Sequence, residues 1–123
     1  MSLTVFIIAG ESSGDRLGAA LIEGLRALVP DVQIQGIGGP MMHAQGIRSL
    51  VPISDLAVMG VAEVLPKLPK LLRHIRETAD EVCKQKPDVL ITIDSPDFCL
   101  RVAGKVRAVL PEQRVVHYVA PSV

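Results

Sequence analysis

A short unbroken apolar run near the amino terminus constrains the fold more than any other feature of this sequence. Residues 5–9 (VFIIA) carry no polar side chain, and the run stops at residues 10–15 (GESSGD), where a helical spacing of apolar residues begins. An uninterrupted apolar run, unlike an alternating one, is typical of a parallel strand that is covered on both faces. The stretch therefore predicts a buried strand that leads directly into a helix.

Residues 10–15, which we call the glycine turn, are the first candidate site. Ligands of open parallel sheets bind beyond the carboxyl ends of the strands, and Gly10 and Gly14 would permit sharp bends and a close approach of a ligand to the main chain. A structural interpretation is equally open, because Ser12 and Asp15 have the spacing of a capping box that only starts a helix. The chain has neither the GxGxxG fingerprint nor the GK[ST] of a phosphate loop.

Length and composition bound the class of protein. A chain of 123 residues is expected to form one domain, residues 1–123, that is large enough to bury a core. Because 49% of the residues are apolar but only 2% are aromatic, that core must be aliphatic. The formal net charge is zero, so no nucleic acid partner is expected.

The sequence has neither a cysteine motif for a metal nor a targeting segment. Cys83 and Cys99 form no CxxC motif and have no histidine at ligand spacing, so both are expected to be reduced thiols, with no metal and no cofactor. There is no signal peptide pattern, and no apolar stretch approaches eighteen residues. These observations favour a cytoplasmic protein.

The remaining segments alternate between strand and helix patterns. We expect further strands at residues 32–37, 48–52, 89–93 and 114–119, and helices at residues 17–28, 68–85 and 99–110. The fold class is therefore α/β, a Rossmann-like three-layer sandwich with a mostly parallel sheet of about five strands.

The second candidate site follows the apolar strand at residues 89–93. Residues 94–98 (DSPDF), which we call the aspartate turn, would open on the same sheet edge as the glycine turn, so that carboxylates from both turns could face one cleft. Asp94, at the end of the strand, is the better candidate for a general base, with a simple turn residue as the alternative. Asp97 is expected to cap the following helix.

An apolar stretch at residues 56–65 precedes Pro66 and Pro69 and is too short to span a bilayer. Two interpretations are open for it: core packing, or a surface that receives an acyl chain or touches a membrane. The helix that follows has an apolar stripe, and its cations are consistent with either a solvated face or an anionic lipid or substrate. These cations are Lys67, Lys70, Arg73 and Arg76.

Five ordered motifs make the chain resemble the amino-terminal part of the lipid-A-disaccharide synthase family. They are residues 9–15 (AGESSGD), 39–42 (GPMM) with Gly46, 58–60 (VMG) with 63–64 (EV), 93–98 (IDSPDF), and 117–119 (HYV) before 121–123 (PSV). Two positions depart from the family pattern, since Cys99 stands where asparagine is usual and Ala120 where serine is common. Neither removes a group expected to act in catalysis.

The resemblance implies one half of a GT-B glycosyltransferase, in which two Rossmann-like halves face one cleft. The family transfers 2,3-diacylglucosamine from UDP to 2,3-diacylglucosamine 1-phosphate with inversion, giving lipid A disaccharide 1-phosphate and UDP. UDP is held mainly by the carboxyl-terminal half, so this chain is expected to be the acceptor half of a hexosyltransferase and to be inactive alone. The resemblance also implies a bacterial cytoplasmic protein that associates peripherally with the inner membrane, with a homodimer left open.

Motif by motif, the resemblance makes Asp94 the general base for the acceptor's 6-hydroxyl. The expected substrate-binding residues are Gly10, Glu11, Ser12, Ser13, Gly14, Asp15, Met59, Glu63, Asp97 and Ser122. The expected acyl or membrane patch comprises Val58, Val64, Leu65, Leu68, Leu71 and Leu72. The competing classes are a non-catalytic flavodoxin-like or nucleotide-binding module and a pure interaction domain, and the latter would be favoured if the two turns lay on different sheet edges.

Overall fold

Strands and helices alternate along the chain, as the sequence predicts. The computed structural model describes residues 2–56 and 61–119, and only the backbone of residues 61–64. Its elements are β1 (Thr4–Ala9), α1 (Ser12–Leu28), β2 (Gln33–Ile37), α2 (Pro40–Ala44), a 3-10 helix (Ile53–Asp55), α3 (Val61–Gln85), β3 (Val89–Ile93), α4 (Pro96–Val109) and β4 (Val115–Tyr118).

The four strands form one parallel sheet in the order β2-β1-β3-β4. The apolar run of β1 lies in the interior of this sheet, and residues 5–9 are all buried. Helices α1 and α2 pack on one face, where Ile22 and Met42 are buried, and helices α3 and α4 pack on the other, around Val82 and Val102. The predicted Rossmann-like α/β sandwich is confirmed, although the described sheet has four strands rather than five.

The missing fifth strand is the one predicted at residues 48–52. The segment makes a single bridge, between Ser49 and Gly36 of β2. The Ser49 hydroxyl accepts the amide of Gly38 at 3.0 Å and donates to the carbonyl of Val51 at 2.6 Å. Such local side-chain bonds compete with a strand ladder, and Pro52 has no amide proton to extend one. The segment therefore tethers to the edge of β2 without becoming a strand.

Three helices begin earlier than their apolar spacing predicts. Helix α1 begins at Ser12 rather than at residue 17. Helix α3 begins at Val61 rather than at residue 68, and it continues through Pro66 and Pro69, although each proline removes one helical hydrogen-bond donor. Helix α4 begins at Pro96 rather than at residue 99, with the proline in the first turn, where its missing amide proton costs nothing. None of the helices in the described part of the chain has the length and apolar character needed to cross a membrane.

Candidate functional site

The two turns meet at the carboxyl edge of the sheet. A Cβ atom placed on Gly10 would lie 2.5 Å from Ser95 Oγ and 2.8 Å from Ser95 Cβ, so the side chain of Ser95 covers the backbone of the glycine turn. β1 and β3 are neighbouring parallel strands, which brings their carboxyl ends together. The turns therefore share one edge, and the condition that would favour a pure interaction domain is not met.

Gly10 and Gly14 are needed in this turn because they have no side chain, and not because they have an unusual backbone conformation. Among the described glycines the positive φ belongs to Gly46, after α2, and neither Gly10 nor Gly14 has one. A Cβ on Gly14 would lie 3.3 Å from Ala9 Cβ and 3.4 Å from the carbonyl oxygen of Ile93. The first turn of α1 thus packs directly against the ends of β1 and β3.

The aspartate turn has an unusual backbone. Asp94 and Ser95 are consecutive non-glycine residues with φ of 48° and 42°, in the left-handed region. Hydrogen bonds fix the turn, because the Asp94 amide donates to the Tyr118 carbonyl at 2.9 Å and the Cys99 amide donates to the Ser95 carbonyl at 3.0 Å. Asp94 itself is half-buried. Strained conformations of this kind are costly and concentrate at functional sites, which makes the aspartate turn a candidate site on structural grounds as well.

Carboxylates from both turns act on the thiol of Cys99. Burial raises the pKa of this thiol to about 12; a backbone hydrogen bond with Ile93 opposes the rise, and the charges of Asp94 and Glu11 add to it. One carboxylate of each turn thus contributes to the electrostatic environment of the Cys99 thiol. A thiol with so high a pKa is not a nucleophile at neutral pH.

Asp15 has a different role from the one its spacing predicts. The residue that precedes α1 is Glu11, whose side chain makes no capping bond, so the capping box predicted for Ser12 and Asp15 is wrong. The Asp15 carboxylate is buried and accepts three backbone amides at the start of α2, each at 2.9 Å. Their donors are Gly39, Met41 and Met42. Asp15 thus fastens α2 to α1.

The exposed polar groups at this edge come from the first turns of two helices. Glu11, Ser12 and Ser13 are exposed at the start of α1. Asp97 does not cap α4 as predicted, because the helix begins at Pro96 and Ser95 precedes it. Instead Asp97 is exposed within the first turn, where the helix dipole favours a carboxylate.

Three of the four residues of the predicted apolar patch whose side chains the structure describes are exposed. The side chains of Leu65, Leu68 and Leu72 are 64%, 37% and 48% exposed, whereas Leu71 packs against the core. Residues 65–70 of α3 are all exposed. Five predicted residues lie outside the described residues or side chains, namely Val58, Met59, Glu63, Val64 and Ser122.

Two features beside the site were not predicted from the sequence. Leu56 approaches the glycine turn, with its Cδ1 3.9 Å from a Cβ on Gly10, because the preceding segment crosses the sheet edge. Thr92, which is fully buried on β3, shares a 2.6 Å hydrogen bond with His117 Nδ1 on β4. Pairing of Thr92 with His117 follows from the strand register, and a correct alignment of β3 with β4 would have revealed it.

The contact between Gly10 and Ser95 can be tested by substitution. Gly10→Ala should lower the free energy of unfolding by about 1–3 kcal/mol, because the new methyl group overlaps Ser95 Cβ, which no side-chain rotation can move away. Ser95→Gly removes the obstructing atoms and suits the positive φ at that position. In urea denaturation the double variant should therefore regain most of the lost stability. A double variant no more stable than Gly10→Ala would show that the contact is not the cause.

Comparison with known proteins gives consistent matches along the chain. The model of the family described as lipid-A-disaccharide synthetase matches residues 5–123. A lipid-A-disaccharide synthase of Ruegeria pomeroyi is 58% identical over 121 residues, which are 98% of this chain and 30% of that protein. Proteins of the same name from Nitrobacter hamburgensis and Pseudomonas aeruginosa are 52% and 48% identical, over 99% and 98% of this chain. The chain spans 31% and 32% of the length of these two relatives.

Proposed function

This chain belongs to the lipid-A-disaccharide synthetase family, and from that membership we propose that residues 1–123 form the acceptor side of an inverting glycosyltransferase of lipid A biosynthesis. The complete enzyme transfers 2,3-diacylglucosamine from UDP to 2,3-diacylglucosamine 1-phosphate. In the proposal this Rossmann-like domain is one half of a GT-B fold, and a carboxyl-terminal half holds the UDP. The chain alone therefore transfers no sugar.

The contact of the two acidic turns at one sheet edge is the observation that carries this proposal. Asp94, on a rigid turn at the end of β3, accepts the proton of the acceptor's 6-hydroxyl. The freed oxygen attacks the anomeric carbon of the donor sugar from the face opposite UDP, and the bond between that carbon and the UDP oxygen breaks. The product is inverted, UDP leaves with the bonding electrons, and Asp94 keeps the proton until solvent removes it. A base so placed contributes about 10²- to 10⁴-fold in rate.

The glycine turn supplies the surface on which the acceptor lies. The phosphate of the acceptor can accept hydrogen bonds from the exposed Ser12 and Ser13 hydroxyls and from the uncapped amides at the start of α1. The amino end of a helix favours anions. Glu11 can accept hydrogen bonds from sugar hydroxyls. Gly14 and Asp15 act without touching the acceptor. Gly14 allows α1 to pack against the sheet, and Asp15 keeps α2 beside α1.

The exposed leucines of α3 are proposed to bind the acyl chains of the acceptor or the surface of the inner membrane. Leu65, Leu68 and Leu72 present apolar area to solvent, and Leu100 of α4 extends it at 56% exposure. Exposed cations of α3, such as Lys67 and Arg73, suit anionic lipid headgroups. Each methylene group transferred from water contributes about 0.8 kcal/mol. The proposal thus gives a cytoplasmic protein bound peripherally to the membrane.

Membrane association makes a second prediction. Leu65→Glu and Leu68→Glu should each weaken partitioning of the full-length protein onto anionic vesicles roughly ten-fold, because a leucine buried in the bilayer surface contributes about 1.5–3 kcal/mol. Co-sedimentation measures the bound fraction. Leu28→Glu is a matched control, since Leu28 is 82% exposed at the end of α1, away from α3. Equal partitioning of all three variants and the wild type would count against the patch.

Turnover tests the proposed function directly. The full-length protein incubated with UDP-diacylglucosamine and diacylglucosamine 1-phosphate should form UDP and the disaccharide 1-phosphate in equal amounts. Binding of FMN, or of UDP by this chain without the acceptor, would favour a nucleotide-binding module instead. Absence of turnover in the folded full-length protein would overturn the proposal.

A further inference from the structure

A cluster of charged side chains lies beside the candidate site, between the 3-10 helix and α3. Asp55 Oδ1 lies 3.2 Å from Lys70 Nζ, and Asp55 Oδ2 lies 3.0 Å from His74 Nε2. Lys70 and His74 are four residues apart on α3 and therefore project from the same helix face. Glu77 Oε2 lies 4.0 Å from the other ring nitrogen of His74, beyond hydrogen-bond distance.

The cluster is partly sheltered from water. The side chains of His74 and Asp55 are 7% and 19% exposed, while that of Lys70 is 51% exposed. The hydrogen bond from His74, followed by the one from Lys70, keeps the pKa of Asp55 below its ordinary value. Asp55 is therefore ionised at neutral pH and held by two donors of one helix.

Asp55 is also one peptide bond from a core residue that lies beside the glycine turn. The next residue, Leu56, is buried, and its Cδ1 lies 3.9 Å from a Cβ placed on Gly10. The segment that carries both residues has a second anchor at the edge of β2, where the Leu50 amide donates to the Gly36 carbonyl at 2.9 Å. With one anchor at Leu50 and the other at Asp55, the path of the segment across the sheet edge is fixed.

We propose that Asp55, held by His74 and Lys70, is a positioning residue that keeps Leu56 against the glycine turn and so sets the shape of the acceptor cleft. The inference rests on the proposed function, because it assigns the cleft to the acceptor. Asp55 touches neither substrate nor the reacting atoms in this role. It acts through Leu56, and its loss should loosen the glycine turn and weaken acceptor binding while leaving the chemical step intact.

Steady-state kinetics of the full-length enzyme test the inference. Asp55→Asn keeps the size of the side chain but removes the charge that both donors hold, and it should raise the acceptor KM about ten-fold with kcat and the donor KM changed less than about two-fold. The expectation follows because a substitution that removes binding energy common to the ground state and the transition state raises KM and leaves kcat unchanged. Asp80→Asn, an exposed carboxylate on the same helix, is the matched control and should leave the acceptor KM unchanged.

Substitutions of His74, the hydrogen-bond partner of Asp55, distinguish a positioning role from an effect on the stability of the whole fold. His74→Leu removes the donor from a buried position, and it should reproduce the rise in acceptor KM. This variant also tests the inference if Asp55→Asn does not fold. His74→Gln places an amide nitrogen where Nε2 lies and should keep the acceptor KM near the wild-type value. A lowered unfolding midpoint with an unchanged acceptor KM in Asp55→Asn and His74→Leu would overturn the inference.

A readout independent of turnover distinguishes this inference from the proposed function. Amide hydrogen exchange at Gly10 and Glu11 should become faster in Asp55→Asn than in the wild type or Asp80→Asn, because the glycine turn loses its cover. Unchanged exchange in a folded variant would refute the positioning role whatever the enzyme catalyses. A wild-type protein without transferase activity, in contrast, would refute the proposed function and leave the exchange result to decide the positioning role.

Discussion

Replacing Asp94 with asparagine should lower kcat of the full-length enzyme by about 10²- to 10⁴-fold. Asparagine has nearly the same size but accepts no proton from an attacking hydroxyl. The fold should survive, because asparagine tolerates a positive φ as well as aspartate does. The hydrogen bond from the residue 94 amide to the Tyr118 carbonyl also involves only the backbone.

The acceptor and donor KM values of Asp94→Asn should stay near those of the wild type, since the lost interaction is made in the transition state. The unfolding midpoint, measured in parallel, identifies any loss that comes from misfolding. Asp80→Asn on α3 serves as the control for removal of one carboxylate, and its turnover should equal that of the wild type. Near-normal turnover of Asp94→Asn would remove Asp94 from the role of base.

The largest loss of stability is expected from Asp15→Ala. The substitution leaves three backbone amides of the α2 start without their acceptor, and two of these hydrogen bonds are buried. Because each buried donor left unsatisfied costs about 1–3 kcal/mol, the free energy of unfolding should fall by about 3 kcal/mol or more. Urea denaturation followed by circular dichroism measures this loss.

A neighbour on the same helix provides the control for Asp15. Glu23→Ala removes an exposed carboxylate from α1, and the free energy of unfolding should change by less than about 0.5 kcal/mol. If Asp15→Ala were as stable as Glu23→Ala, the bonds between α1 and α2 would not hold these helices together.

The parallel sheet could be predicted because its signal is local. The apolar run of β1 has no polar interruption. Residues 32–37 alternate apolar and polar side chains, which is typical of a strand with one exposed face, and β2 lies at the sheet edge. Residues 48–52 are also expected from the sequence to form a strand but do not. The reason is that the Ser49 hydroxyl makes local hydrogen bonds, which cannot be recognised from the spacing of apolar residues. Likewise, Pro66 and Pro69 predict an interruption of the helix, but α3 is continuous through both prolines.

The candidate site was predictable in its placement but not in its contacts. Two turns that follow neighbouring parallel strands must meet at one edge, and Gly10 and Ser95 do so. Asp15, in contrast, bonds amides 24 to 27 residues away, and Asp55 pairs with His74 across 19 residues. Such pairs depend on how loops cross the sheet edge, which no sequence spacing specifies.

A crystal structure of the full-length enzyme with diacylglucosamine 1-phosphate would show whether the acceptor binds at the two turns. We expect the sugar to lie between the glycine turn and the aspartate turn, with its 6-hydroxyl about 2.6–3.2 Å from an oxygen of the Asp94 carboxylate. An acceptor bound away from these turns, or one whose 6-hydroxyl is directed away from Asp94, would contradict this expectation.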